Sequence, residues 1–427
     1  MKHTARLLGI VGAGALAVAT LAGCSGTADQ GSGGERVTLD LAWWGNESRA
    51  AMYQEAIALF EAEYPDITVN GTFADFSSYW DLRATQAAAR GLPDVMQMDQ
   101  ANLVQYGLNG ALLDVSPYLG EQLDTSAMED VVIEAATVDG VQYGVPVATG
   151  TLGLFVNPGA VAASGVAPLD PDYTWEDLND WISDVTSSGA TTPSGSAVFG
   201  GFDQGVTMWF FIQWLLQQGE QPFAEDGSIA FSREDVVAFM DLTTDLRASG
   251  AFFPQSRISE LGPVDGFAVG EAASTLTWDS FFARYTDVED LETLPVPTGP
   301  DGEKAVFYTV LHMAGAANTE HPEETALLLD FLATDPGVAE VFGTSRGVPA
   351  DPGQLDALEF AEGSVEAKSL DYRASLEGYE TVSTPTLPST FASLEATWVR
   401  LNEELMFGNI TVEEFADRWW SEAESLE

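Results

Sequence analysis

The chain of 427 residues is poor in the side chains that usually carry metal or nucleophilic chemistry. It has a single cysteine, Cys24, which excludes a disulfide framework and a thiolate metal site. Of its three histidines, only His312 and His321 lie beyond the N-terminal twenty residues. Two separated histidines form no metal-ligand cluster and no recognisable nucleophilic triad. We therefore expect no metal site, no cofactor and no catalytic residue.

Positive charge is also scarce. The sequence has 16 Lys and Arg against 66 Asp and Glu, for a formal net charge of −50. Nucleic acid and anionic membrane surfaces are poor partners for such a chain. A phosphate or carboxylate ligand would need a local basic pocket, and no basic cluster is visible in the sequence. The acidic residues are scattered in short groups, which favours a soluble, self-repelling surface over a disordered acidic tail.

No apolar run is long enough for a stable membrane span. The N-terminal run over residues 7–22 follows Lys2 and Arg6 and is short and rich in small residues, which is typical of a signal peptide. It ends in Leu21-Ala22-Gly23-Cys24, which resembles the lipobox of bacterial lipoproteins. That resemblance implies a signal peptide over 1–23 and a lipidated Cys24, and the linker composition of residues 25–34 predicts a flexible tether over 24–35. The alternative is a cysteine that happens to end an ordinary signal peptide.

Strand and helix patterns alternate after the tether. Residues 37–42 alternate apolar and polar side chains, and helical spacing follows over 53–64. A second strand is predicted at 67–70, a second helix over 79–90 capped by Ser77 or Ser78, and a third strand at 93–99. This alternation predicts a parallel, doubly wound sheet.

The first strand ends in Trp43-Trp44-Gly45-Asn46-Glu47. Ligands of open α/β sheets bind at the carboxyl ends of strands, where an indole can stack on a flat apolar face and Asn46 can take up hydroxyls. Neighbouring strand residues point to opposite faces, so we expect Trp43 to pack inward and Trp44 to face a ligand. The alternatives are that both tryptophans plug the sheet edge and that Asn46 and Glu47 only cap a helix.

The rest of the chain continues the mixed pattern. Extended runs at 141–147 and 152–156 are joined by a short polar segment, 148–151, which is a candidate crossover between domains. Further strands are predicted at 274–279, 291–297 and 306–316, and helices at 175–185, 206–216, 233–249, 264–270, 323–333, 338–342, 370–379, 391–407 and 412–425.

Several short pieces then occur in a characteristic order. They are the segments 60–69, 91–95, 143–146 with 154–157, 173–178, 267–273, 294–300, 332–335 and 411–415, of which Gly91-Leu-Pro-Asp-Val95 and Tyr143-Gly-Val-Pro146 are examples. Together with the lipobox, this ordered set resembles the extracellular solute-binding proteins of bacterial ABC importers. The resemblance covers nearly the whole mature chain and is to the sugar-binding branch that includes the maltose-binding type.

The resemblance implies an α/β, two-lobed periplasmic-binding-protein-like fold of type II. Each lobe would be a mainly parallel sheet flanked by helices, with the ligand cleft between the lobes. One lobe would hold residues 36–148 plus 291–333, and the other 151–290 plus 336–427. Crossovers near 148–151, 288–291 and 334–336 would absorb the change in backbone angles as the lobes close on a ligand.

A sugar presents apolar C–H faces and a ring of hydroxyls, so its site needs aromatic plates and fixed polar groups. The candidate ligand-binding residues are Trp44, Asn46, Glu47, Trp80, Asp99, Gln100, Trp209, Trp278, Asp279 and Arg346. Each of four residues also has a purely structural alternative: core packing for Trp209, helix capping for Asp99 and for Asp279, and a salt bridge for Arg346.

These features predict a non-catalytic capture protein. It would be a lipid-anchored monomer on the outer face of the cytoplasmic membrane, would bind a mono- or oligosaccharide by hinge closure, and would deliver it to a membrane permease. One alternative is the same fold binding a polyamine or another cation, which would bring acids together in the cleft. A secreted glycoside hydrolase is a weaker alternative, because no carboxylate pair stands out.

Overall fold

A computed structural model describes residues 36–224, 227–262, 264–382 and 387–426. The predicted signal peptide, the lipobox with Cys24 and the tether lie outside these residues. Within the described ranges, no helix combines the length and the apolar character needed to cross a membrane.

The described residues form eleven strands and sixteen α-helices. The strands are β1 (Val37–Trp44), β2 (Ile67–Ala74), β3 (Val95–Met98), β4 (Thr137–Val138), β5 (Val141–Gln142), β6 (Gly144–Val156), β7 (Ser274–Trp278), β8 (Glu292–Leu294), β9 (Ala305–Gly315), β10 (Val348–Pro349) and β11 (Glu380–Val382). The helices are α1 (Glu47–Glu63), α2 (Phe76–Ala89), α3 (Gln100–Leu108), α4 (Asp130–Ala135), α5 (Pro158–Ser164), α6 (Trp175–Ser187), α7 (Met208–Gln217), α8 (Arg233–Asp241), α9 (Thr244–Ser249), α10 (Gln255–Leu261), α11 (Pro322–Thr334), α12 (Pro336–Phe342), α13 (Pro352–Asp356), α14 (Val365–Ser375), α15 (Phe391–Met406) and α16 (Val412–Leu426).

The predicted alternation at the start of the chain is confirmed. β1 pairs in parallel with β2 on one side and with β3 on the other, and α1 and α2 connect them. Helix α2 begins three residues earlier than predicted, at Phe76. The carboxylate of Asp75 accepts a hydrogen bond from the Ser78 N–H at 3.1 Å, so the aspartate caps the helix in place of Ser77 or Ser78.

The segment 148–151 lies within one continuous strand. β6 pairs antiparallel with β9 from Gly144 to Thr151, with β7 from Leu152 onward and with β8 from Leu154 onward. A polar run need not break a strand when its backbone groups keep their partners. Thr149 and Gly150 do so with Val310 and Thr309. β6 therefore carries the chain from one half of the molecule to the other.

The sheet is mixed, whereas mainly parallel sheets were predicted. Its strand order is β10-β6-β9-β3-β1-β2, and the pairs β3–β9, β6–β9 and β6–β10 are antiparallel. The two long strands β6 and β9 cause the difference, because they run in opposite directions beside the parallel β2-β1-β3 unit. The predicted helix at 264–270 forms turns instead. Within this segment Gly266 packs closely on Phe253, since a Cβ added at Gly266 would lie only 2.4 Å from the Phe253 ring.

Two main cores are built on the two ends of β6. The first includes Leu39, Leu41 and Trp43 of β1, and the second includes Phe211 of α7 and Trp398 of α15. Packing departs from the predicted lobe assignment at two places. Helix α12, with Val338 and Phe342, packs in the first core, while Val306 and Phe307 of β9 pack in the second. The chain therefore crosses between cores within β9 and again after α12.

Candidate functional site

The two tryptophans at the end of β1 have different surroundings. Trp43 is fully buried and stacks on Tyr53, with ring centroids 4.3 Å apart, which confirms the predicted side of the strand for this residue. Trp44 is partly buried, and its ring centroid lies 5.5 Å from that of Tyr79 and 5.7 Å from that of Trp80. Trp80, also partly buried, extends the group to Tyr106 at 6.0 Å. We call Trp44, Tyr79, Trp80 and Tyr106 the first aromatic cluster.

Asn46 and Glu47 stand at the start of α1. The Asn46 side-chain oxygen accepts a hydrogen bond from the Arg49 N–H at 3.0 Å, so Asn46 is the N-cap. Glu47 is exposed in the first turn, where a negative charge favours the helix. Both retain exposed surface, so capping leaves their role as predicted ligand residues open.

Asp99 and Gln100 lie where β3 meets α3. Asp99 caps α3 by accepting from the Asn102 N–H at 2.8 Å, and burial raises the pKa of its carboxyl. The Gln100 amide donates to the Ala135 carbonyl at 2.6 Å, and its oxygen lies 3.0 Å from His312 Nε2. Burial lowers the pKa of His312 to about 3, so the ring is neutral and donates to Gln100. The Gln100 side chain is therefore held from both ends.

The other two predicted tryptophans form a second aromatic cluster with Phe307 and Phe391. The centroid of the Trp209 ring lies 6.0 Å from that of Trp278, 5.7 Å from that of Phe307 and 4.9 Å from that of Phe391. Trp209 is partly buried near the start of α7, while its neighbours Phe210 and Phe211 are buried. Trp278, at the end of β7, is also partly buried.

Glu395 is a feature that the sequence did not reveal. It lies on α15 and accepts hydrogen bonds from the Thr207 hydroxyl at 2.6 Å and from the Met208 N–H at 3.0 Å, one residue before Trp209. Burial, with a smaller contribution from the charge of Asp99, raises the pKa of Glu395 to about 7. α15 packs against α3, so two acids that are far apart in the sequence come near each other.

Asp279 is fully buried beside the second aromatic cluster. Its carboxylate accepts from Arg373 Nε and from the Thr151 N–H, the latter at 3.2 Å. Arg373 also donates to the Thr149 carbonyl at 2.7 Å and lies over the Tyr308 ring at 4.6 Å. Asp279 and Arg373 thus bind the backbone of β6 at Thr149 and Thr151, where the strand passes between the cores. Arg373 was not among the predicted residues.

Arg346 is 6% exposed, and its guanidinium lies 3.9 Å from the centroid of the Phe342 ring. Among the described residues it makes no ion pair, and its Nη1 is buried without a hydrogen-bond partner. Arg49 donates to the carbonyl of Ser345, the preceding residue, at 2.5 Å. The pKa of Arg49 is lowered by burial and by the charges of Arg346 and Arg284. We call Arg49, Arg284 and Arg346 the basic cluster.

A separate open groove of about 770 Å³ runs along α6. Its lining includes Tyr173, Trp181 and five aspartates and contains none of the predicted site residues. We therefore place the candidate site at the two aromatic clusters and the charged groups beside them.

The architecture is that of a two-lobed periplasmic-binding-protein-like fold: two cores, helices flanking a sheet, and long strands passing from one half to the other. The profile of the family described as "Bacterial extracellular solute-binding protein" matches residues 44–339. The chain belongs to this family, and it is accordingly a solute-binding protein.

Relatives with known names agree with this assignment. The maltodextrin-binding protein of Bacillus subtilis is 23% identical over 383 residues, covering 86% of this chain and 85% of the relative. The structure of an ABC substrate-binding protein from Listeria monocytogenes, in complex with cycloalternan, has a TM-score of 0.78 at 20% identity and covers 92% of this chain and 99% of that one. A periplasmic oligogalacturonide-binding protein from Yersinia enterocolitica, in complex with saturated digalacturonic acid, has a TM-score of 0.77 at 21% identity, with coverages of 91% and 98%.

Proposed function

We propose that the protein captures a carbohydrate, either a mono- or an oligosaccharide, between its lobes and delivers it to the permease of an ABC transporter. The observation that carries the proposal is the pair of aromatic clusters, each of which keeps partly exposed indole rings beside polar side chains. Aromatic plates with a few fixed polar groups match the C–H faces and hydroxyls of a sugar. The named relatives from Bacillus and Listeria also concern saccharides.

In this proposal the two clusters act from opposite lobes. Trp44 and Trp80 stack on one part of the sugar, and Trp209 and Trp278 stack on another. The exposed Asn46 and Glu47 supply polar contacts at the rim, and Asp99 and Arg346 supply polar contacts deeper in the site. Gln100 and Asp279 are already hydrogen-bonded inside the protein, so we assign them to positioning β3 and β6.

Capture requires the two halves to move together. β6 and β9 join the cores without a break in pairing from Ala148 to Thr151, so a small change spread over this ladder can rotate one half against the other. The crossovers predicted near 288–291 and 334–336 do not coincide with the places where the packing passes between the cores, within β9 and after α12.

We further propose that Cys24 carries the lipid anchor and that residues 24–35 tether a monomer to the outer face of the membrane. Mass spectrometry of the membrane fraction should find acyl chains on the N-terminal cysteine. A Cys24→Ser variant should be released into the medium, and an unmodified Cys24 in membrane-bound protein would contradict the anchor.

The direct test of function is a thermal-shift screen of neutral and acidic sugars, with polyamines and divalent metal ions as the rival ligands. A ligand at one hundred times its Kd stabilises a binding protein by roughly 2.7 kcal/mol, so a specific sugar should raise Tm by several degrees. The sugar should be recovered intact, as expected of a capture protein.

The polyamine alternative has one observation in its favour: α3 and α15 pack together and bring the negative charge of Asp99 near Glu395. If polyamines stabilise the protein and no sugar does, the carbohydrate assignment is wrong and the acid pair becomes the candidate site. Release of shorter sugars during the assay would instead indicate a hydrolase.

A further inference from the structure

We propose that the carbohydrate ligand carries an anionic oxygen group, a carboxylate or a phosphate, and that the basic cluster of Arg49, Arg284 and Arg346 binds it. This inference rests on the proposed function and deepens it, because it specifies the class of saccharide.

The first reason is that these arginines have no acidic partner among the described residues, although acids outnumber bases in the chain. Seven other Lys and Arg side chains in the described ranges form ion pairs, among them Arg247 with Asp203 and Arg373 with Asp279. None of these pairs includes a member of the basic cluster. In the described ranges Arg36, Arg83, Arg90 and Lys368 form no ion pair either, so the grouping of the three arginines, and not the lack of a partner alone, sets the cluster apart.

The second reason is the burial of Arg346. Guanidinium groups stay protonated in proteins, so a buried guanidinium with an unbonded N–H is unfavourable until an acceptor arrives. Arg346 Nη1 is such a group, and the stack on Phe342 fixes the plane of its fork. A carboxylate or a phosphate can accept two parallel hydrogen bonds from that fork, whereas a sugar hydroxyl cannot.

The third reason is how the cluster is held together. Arg49 is fastened through Nη2 to the carbonyl of Ser345, directly before Arg346. Its side chain also lies against Gly45, where an added Cβ would be 2.7 Å from Arg49 Cγ. Gly45 follows Trp44, so the arginines adjoin the first aromatic cluster. A sugar stacked on Trp44 would have its acidic substituent beside them.

The fourth reason is that the cluster draws on both halves of the site. Arg284 ends the 3₁₀ turn Asp279–Arg284, which follows Trp278, and it lies 3.9 Å over the Phe281 ring with its side chain exposed. Its charge is close enough to lower the pKa of Arg49. An anion held by Arg49 and Arg346 would therefore have a third positive charge nearby, on the element that follows Trp278.

The test compares each acidic sugar with its neutral counterpart on the purified protein. Galacturonate and glucuronate oligomers are matched with their methyl esters, and glucose 6-phosphate is matched with glucose. The wild-type protein should bind the acidic member of at least one pair with an apparent affinity at least tenfold higher than that for its neutral counterpart. The uronate and phosphate arms distinguish the two sources of negative charge.

Variants then assign the preference to the cluster. Arg346→Gln should abolish it, and Arg346→Lys should recover only part of it because an ammonium lacks the planar fork. Arg418→Gln removes one surface positive charge outside the site and should leave the preference unchanged. Unliganded Arg346→Gln protein should also be at least as stable as wild type, which a purely structural arginine would not allow.

The outcomes separate the two proposals. If a neutral sugar binds as tightly as its acidic counterpart, or if Arg346→Gln keeps the acidic preference, the anionic-ligand inference is wrong while the carbohydrate function stands. If no sugar of either kind stabilises the protein, the proposed function fails and this inference fails with it.

Discussion

The acid pair and the basic cluster are two charged regions near the candidate site, and they are built in opposite ways. Asp99 and Glu395 receive hydrogen bonds from the N–H groups at the starts of α3 and α7, so neutral donors of the protein itself satisfy them. Arg49 donates to the carbonyl of Ser345, and Arg346 Nη1 has no hydrogen-bond partner; within the described ranges neither arginine pairs with a carboxylate. The comparison indicates that the acids already have donors within the fold, whereas Arg346 keeps an unused donor for an external anion.

The largest expected effect comes from breaking a paired arginine, as a contrast to the unpaired ones. Arg373→Met should lower the free energy of unfolding by about 3–5 kcal/mol, because it leaves the fully buried carboxylate of Asp279 without its partner. Urea denaturation measures the loss. Arg400→Met, which breaks an exposed pair with Glu422, is the matched control and should cost less than about 1 kcal/mol.

A double variant sharpens this test. Adding Asp279→Asn to Arg373→Met removes the stranded charge, so it should recover part of the lost stability. If Arg373→Met alone is no worse than Arg400→Met, the buried pair does not have the role we assign to it.

The acid pair predicts a pH dependence. The folded-state pKa of Glu395 is raised to about 7 from 4.5, so the folded protein holds a proton that the unfolded chain releases. This group's contribution is therefore favourable below pH 4.5 and is lost as the pH rises toward 7, by roughly 1–3 kcal/mol. Glu395→Gln should remove that loss in unfolding curves recorded from pH 5 to pH 8.

Net negative charge will also reduce stability at high pH, so the comparison needs a variant that loses one charge elsewhere on the same helix. Glu403 is exposed on α15, and Glu403→Gln should keep the wild-type slope. Equal slopes for Glu395→Gln and Glu403→Gln would show that burial at Glu395 is not the cause.

The local part of the fold was accessible from the sequence. Period-two alternation over 37–42 placed β1 and put Trp43 inward, because strand geometry leaves only two faces. The continuous β6 was not accessible. Its crossing segment has polar residues typical of a joint, and the ladder that keeps it extended comes from β9, with Gly150 opposite Thr309. Pairing over such a distance leaves no periodic signal near residue 150.

The charged regions were missed for the same reason. Arg49, Arg284 and Arg346 are far apart in the chain, so a search for basic runs finds nothing, although the fold collects them. Glu395 accepts its backbone hydrogen bond from Met208, 187 residues away. A helix start supplied by another part of the chain is a tertiary feature. By contrast, the residue types of the aromatic clusters were foreseeable, and only their grouping required the structure.

The second aromatic cluster should contribute a smaller effect, measured on binding. Trp278→Ala should weaken the Kd for the best sugar by about 1–3 kcal/mol, by analogy with other ring-stacking losses, with little change in the unliganded Tm. Trp420→Ala is the matched control, since Trp420 is a partly buried tryptophan packed on Phe231 and Trp419 away from the clusters. Unchanged affinity in a folded Trp278→Ala protein would remove this residue from the site.

The smallest change in the free energy of unfolding is expected at Arg346, the buried arginine that is compared with the paired Arg373. Arg346→Met should change the free energy of unfolding by less than about 1 kcal/mol, or increase it, because no carboxylate is left behind and an apolar side chain can pack on Phe342. Urea denaturation beside Arg373→Met tests the two arginines under identical conditions. If Arg346→Met lowers the free energy of unfolding as much as Arg373→Met does, Arg346 already has a strong partner within the protein. The contrast between a paired arginine and one that binds a ligand would then not hold.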